Sequence, residues 1–292
     1  MLTILGKAVR PAPDKHWNYV YRLDLKYEKD WLKAFAAGLR VLREATDEEA
    51  LAAAVRTGNP DGFTPGLPWR QSERTMQDGW SLTSGSIFTR AGKAELMRLG
   101  LGLKFNLDNP LALDWVKRHG ARLVREVSER TRQGIVGAIM DGYRLGKAPA
   151  ETARRIRGMV GLLERDMRAV ANRWEALTAE GLRTERQVED MIDVYMRRLI
   201  RRRALNIART ETVASAAGGT QESWRQAREA GFIGPEALQE WIAAPESGRT
   251  CEWCMELNGQ QVPLGSPFES SYFGTLSGPP AHPSCRCALG LA

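Results

Sequence analysis

The chain has 292 residues, 43% of them hydrophobic and 26% charged, enough apolar content for a real core and too much for global disorder. No run approaches eighteen apolar residues, and MLTILGKAVRPAPDKHW has neither a long apolar stretch nor a small-residue cleavage site, so a membrane span and a secretion signal are not expected. The net charge of +7 is uneven: residues 1–116 carry 16 basic and 14 acidic side chains, residues 117–220 carry 22 and 13, and residues 221–292 carry 4 and 8. An arginine-rich middle at +9 and an end at −4 suit a polyanion or an acidic protein surface as partner, although solvated faces of amphipathic helices give the same count.

Composition divides the chain at 1–78, 79–220 and 221–292. In the first segment DWLKAFAAGLRVLREA repeats Leu32, Phe35, Leu39 and Leu42 at helical spacing. Thr46 to Glu49 reads as a capping box for a second helix, and GNPDGFTPGLPW reads as loop. The middle segment is helical. Asn109-Pro110 opens PLALDWVKRHG as an N-cap with proline at the first helical position, and Val124, Val127, Ile135, Ile139 and Tyr143 mark the next helix, which Gly146 stops. Pro149 opens another, and Leu163, Met167, Val170, Trp174 and Leu177 form an apolar stripe. Thr184 to Gln187 is a capping box for a long helix that the pair Gly218-Gly219 should end. In the last segment TQESWRQAREAG predicts a short helix and ALQEWI a strand. Asn258-Gly259 predicts a hairpin turn between MEL and QQV, SPFESSYFGTLSGPPAHP a loop, and CRCALGL a strand. The fold class is therefore α+β, with predominantly helical N-terminal and middle regions and a small C-terminal α+β unit clamped by a Cys/His cluster.

All four cysteines fall in that last unit. Cys251 and Cys254 form C-x2-C, and Cys285 and Cys287 form C-x-C after His282. A tight C-x2-C turn supplies two of the four ligands of a tetrahedral zinc site. The others come either from Cys285 and Cys287, or from His282 and Cys285 with Cys287 as a packing residue. Buried reduced thiols and disulfides are the alternatives, and a reducing compartment disfavours the second. A thiol nucleophile is poorly served, because His282 is the sole nearby base and nothing obvious orients it. The H-x-E of zinc deaminases is missing ahead of C-x2-C. No enzyme activity is expected.

Upstream, NIARTETVASAAGG carries Asn206, Arg209, Thr210 and Glu211 with Thr212 and Ser215, polar residues dense for a helix interior. They read either as a surface that binds a partner or the cysteine unit, or as a frayed, solvated helix end. The basic run Arg197, Arg198, Arg201, Arg202 and Arg203 is the candidate contact for nucleic acid or a protein partner.

In order along the chain stand LGLKFNLDNPLALDWVKRHG, SERTRQGIVGAIMDGYRLGKAPAETARRIRGMVGL, RALNIARTETVASAAGG, TCEWCMELNGQQV and PPAHPSCRC. This succession, over roughly residues 80–292, resembles the phage head morphogenesis family, the Mu F-like minor capsid proteins of tailed bacteriophages. The resemblance implies a minor component of the virion head, made in the bacterial cytoplasm. Its partners would be the phage portal protein, capsid or scaffold proteins and, non-specifically, packaged DNA, with a role in head assembly and in genome delivery; no membrane is implied. Family motif positions fall on Arg209, Thr210 and Glu211, and on Cys251, Cys254, Gly259, His282, Pro283, Cys285 and Cys287. Pro245 to Arg249 departs from the aspartate-led turn of relatives. Structural zinc (Zn2+) is the expected cofactor. Two other readings remain: a phage-delivered effector or nuclease-like enzyme, and a free zinc-containing DNA-binding protein, the latter without a helix-turn-helix signal to support it.

Overall fold

The computed structural model describes residues 13–243 and 250–292. Its elements are α1 (Pro13–Glu44), α2 (Glu48–Thr57), α3 (Trp69–Arg98), α4 (Pro110–Arg144), α5 (Pro149–Met159), α6 (Glu164–Ala179), α7 (Glu185–Glu229), β1 (Leu238–Ile242), α8 (Glu252–Leu257), β2 (Gln261–Pro263), β3 (Phe268–Ser270), β4 (Gly274–Leu276) and β5 (Ala288–Leu291). The fold is α+β with most of the chain helical, as its sequence predicts. Two compact units emerge, each assembled from separate stretches. One is Leu32–Trp80 with Gly120–Leu205, the helical unit; the other joins residues 1–31, Ser81–His119 and Asn206–Ala292, the cysteine unit.

The helical unit buries the stripes read from its sequence: Leu42, Leu51, Val55, Ile135, Ile139, Ile156, Met167, Val170, Ile192 and Leu199 share one core. The capping box at α7 forms reciprocally. The Gln187 amide N–H donates to Thr184 Oγ1 (3.3 Å) and the Thr184 N–H to Gln187 Oε1 (2.9 Å). At α2 the cap is Asp47 rather than Thr46: Asp47 Oδ1 accepts from the Glu49 and Ala50 amides, while the Thr46 hydroxyl donates back to the Leu42 carbonyl. The expected loop before α3 contains two 3-10 turns, Pro60–Gly62 and Thr64–Gly66. Gly146 ends the following helix with φ +58, but α4 is a single helix from Pro110 where two were expected. A glycine inside a helix costs only about 1 kcal/mol, so Gly120 does not break it.

In the cysteine unit β1 is the central strand of an antiparallel sheet ordered β2-β1-β5, with Glu240 opposite Gln261 on one side and Gly290 on the other. Trp224, Trp241, Leu257, Phe268 and Leu289 pack with Cys254, Cys285 and Cys287 into one cluster. Three expectations are corrected here. MEL belongs to the short helix α8, so Asn258-Gly259 makes no hairpin. Asn258 lies at φ −61, ψ 124 and Gly259 at φ +80, with the Gln260 N–H on the Leu257 carbonyl, which is a type II turn leading into β2. The expected loop 266–283 contains the β3–β4 hairpin. Gly218-Gly219 does not end α7, which runs 45 residues from Glu185 to Glu229 and absorbs the predicted short helix. A Cβ on Gly218 would meet the Trp115 ring at 2.6 Å, and one on Gly219 the Phe88 carbonyl oxygen at 2.1 Å. These glycines serve close helix packing, not termination. Residues 244–249, including the divergent turn at Pro245, lie outside the described residues.

Candidate metal centre

Cys251 caps α8 and Cys254 sits in its first turn, with the Met255 amide on the Cys251 carbonyl (3.1 Å), so the helix start aims both sulfurs one way. The second pair does not lie in β5. Cys285 and Cys287 precede that strand in a loop whose His282–Cys285 turn closes by the Cys285 N–H on the His282 carbonyl (3.1 Å). His282 Nε2 lies 3.1 Å from both Cys251 Sγ and Cys254 Sγ, and Cys254 Sγ lies 3.8 Å from Cys285 Sγ. Two overlapping groups result, Cys251–Cys254–His282 and Cys254–Cys285–Cys287, with Cys254 common to both. Cys254, Cys285 and Cys287 are buried and Cys251 is half-buried.

The donors fit a zinc ion. Bonds of about 2.3 Å to sulfur and about 2.0 Å to nitrogen make tetrahedral edges of roughly 3.8 Å between sulfurs and roughly 3.5 Å from sulfur to nitrogen. The Cys254–Cys285 separation is such an edge, and the two sulfur–nitrogen separations are a few tenths of an ångström short of theirs. Cys285 does not share one 4.8 Å group with Cys251 and His282, and would close up toward them to complete the tetrahedron. The histidine tautomer also fits. Nδ1 lies 2.9 Å from the Pro283 carbonyl, which can only accept, so Nδ1 carries the proton and Nε2 turns a lone pair toward the sulfurs. Among the thiols, hydrogen bonding to Cys285 pushes the Cys254 proton affinity well up, and the bonds that Cys254 and Cys287 give to Cys285 hold its thiol well below the usual range. Cys287 goes the other way: although Cys254 opposes it, its hydrogen bond to Cys285 and its burial together push the Cys287 thiol up, toward the neutral form. Trp253 and Phe273 stand edge-on and parallel to the His282 ring at 6.0 and 6.1 Å between centroids.

The polar stretch of α7 is not a frayed end. Glu211, Thr212 and Ser215 are buried in mid-helix. Glu211 Oε2 meets His119 Nε2, whose ring stacks on Trp115; Thr212 Oγ1 accepts from the Trp31 indole (3.1 Å); Ser215 and Ser84 share a hydrogen bond. Arg209 Nε donates to Asp24 Oδ2 (3.2 Å), and burial raises the Asp24 carboxyl against the opposing pull of that guanidinium. Asn206 and Thr210 reach the His282–Cys285 loop through Ser284, a residue that motif reading passed over.

The basic run divides. Arg197, Arg198, Arg201 and Arg202 are exposed on α7, with Arg202 paired to Asp166 at 2.9 Å. Arg203 is corrected: it is buried and donates to the Gly161 carbonyl (2.7 Å), the Val127 carbonyl and Thr131 Oγ1 (both 3.1 Å), so no DNA or partner reaches it. Burial lowers its pKa to about 10. Helical phase carries this signal, since Ile192, Met196, Leu199 and Arg203 follow at four, three and four.

No helix among the described residues is long and apolar enough to cross a membrane. No curated protein and no solved structure matches the chain. A family model described as phage Mu protein F like protein matches residues 133–290, more than half of the chain and all of the Cys/His cluster.

Proposed function

The chain belongs to the phage Mu protein F-like family, a family of phage head morphogenesis proteins, and from that premise we propose that it is a minor structural component of the virion head, assembling with portal, capsid or scaffold proteins. The observation that carries this reading is the family match itself, which ends across four cysteines and a histidine that the fold gathers into one place. Cys251, Cys254, His282 and Cys285 would hold a zinc ion, with Cys287 behind them. Bound zinc supplies a fixed tetrahedral crosslink to a unit whose strands are only three to five residues long. Four protein donors leave no place for an activated water, which supports a structural and non-enzymatic centre. Exposed Arg197, Arg198, Arg201 and Arg202 support a salt-sensitive, sequence-independent contact with packaged DNA or with an acidic portal surface. Delivery with the genome is part of the same proposal.

Quantitative mass spectrometry of purified virions, and of particles emptied of DNA, tests it. The protein should be present well below the major capsid protein in abundance, and depleted from emptied particles if it leaves with the genome. Abundance in infected cells together with absence from virions and procapsids would overturn the assignment.

A further inference from the structure

The loop that brings His282 and Cys285 together contains the one non-glycine residue with positive φ among the described residues, Ser284 at φ 62. A left-handed backbone at a residue bearing Cβ is unfavourable and persists only where its surroundings hold it. Here α7 does the holding. The Ser284 backbone N–H donates to Thr210 Oγ1 at 2.9 Å, and the Ser284 hydroxyl donates to Asn206 Oδ1 at 3.0 Å. The Thr210 hydroxyl proton is already committed to the Asn206 carbonyl (2.7 Å), so its oxygen faces Ser284 only as an acceptor. Asn206 and Thr210 are four apart, hence neighbours on one helix face. That face therefore grips the loop at the residue between two metal donors, by main chain and side chain at once.

We propose that Thr210 and Asn206 are positioning residues for the metal centre, a latch on α7 that sets the left-handed turn at Ser284 and with it the approach of His282 and Cys285. The proposal rests on the zinc reading above. With the latch closed the loop presents its donors before the ion arrives, so little ordering remains to oppose binding. With the latch open the turn relaxes toward ordinary backbone angles, and the ion must reorder it. Linkage works in both directions: the ion that favours the closed turn also tightens the grip of Ser284 on α7.

The test compares the wild type, Thr210→Val, which keeps the shape and removes the acceptor, and Thr210→Ser, which keeps the hydroxyl. Zinc affinity is read by competition with a chromogenic chelator, alongside far-ultraviolet circular dichroism and hydrogen exchange at the Ser284 amide. Thr210→Val should remain folded, lose roughly 10–100-fold in zinc affinity as other residues that orient metal ligands do, and release the Ser284 amide to fast exchange. Thr210→Ser should restore both. Wild-type affinity in Thr210→Val, or a Thr210→Ser variant as weak as Thr210→Val, overturns the latch while leaving the zinc reading intact. Wild-type protein that binds no zinc overturns the zinc reading, and the latch with it.

Discussion

The two units place charge differently inside. In the helical unit guanidinium groups reach inward, beside one buried carboxylate, Asp166. Arg43 donates to the Val160 carbonyl, Arg203 to those of Val127 and Gly161, and Arg155 lies 3.7 Å over the Trp174 ring. In the cysteine unit, carboxylates go inward instead. Buried Glu95 accepts from the Trp224 indole, buried Glu211 meets His119, and buried Asp24 takes Arg209. The helical unit has a large apolar core around buried Arg203 and half-buried Arg43 and Arg155, whereas the cysteine unit has short strands and a thiol cluster at its centre. Charge counted along a sequence thus overstates what is offered outside: part of the +9 middle segment is engaged with carbonyls and aromatic rings.

The comparison breaks first at the thiols. Cys254→Ser removes the sulfur common to both donor groups, and on the zinc proposal the cysteine unit should lose several kcal/mol and the bound metal, in keeping with structural zinc sites whose binding energy is folding energy. Hydrogen exchange of the β1 and β5 amides and zinc content check this; reduced protection in a wild type that carries no zinc would make the cluster packing alone, and unchanged protection would show that it does not hold the unit together. The counterpart in the helical unit is Ile192→Ala. Ile192 is fully buried, so truncation should cost about 2–5 kcal/mol; zinc content, measured beside denaturant unfolding, should stay at the wild-type level. Smallest is Thr184→Ala, which removes one half of the capping box at the start of α7 and should cost about 1 kcal/mol. Unfolding curves of that variant should keep the wild-type denaturant slope.

Local signals were legible where local physics decides. The helical stripes, the Asn109-Pro110 opening, the Thr184–Gln187 box and the Gly146 stop are each written in a few adjacent residues. So was the presence of a Cys/His cluster, since C-x2-C and H-x2-C repeat one spacing. What could not be read depends on contacts between distant stretches. Gly218 and Gly219 look like a stop until Trp115 and Phe88 are seen against them. Asn258-Gly259 has the composition of a hairpin, yet the helix carrying Cys254 precedes it, and the turn takes another type. Glu211 and Ser215 seem solvated in sequence, although they continue the phase of buried Ala208 at three and four. Ser284 gave no signal, because its partner Thr210 lies 74 residues earlier.

Where Gly219 meets the Phe88 carbonyl, α7 and α3 touch backbone to backbone. Such a joint contains no rotamer, so it freezes no side-chain freedom on folding and has no alternative packing to relax into. Neighbouring side chains can be exchanged for others of similar volume and the surroundings will settle, but at this point even a single methyl group must push two helices apart. It behaves as a keyway: it fixes how far one helix may slide along the other, and the placement of every residue further along α7, Trp224 included, is measured from it.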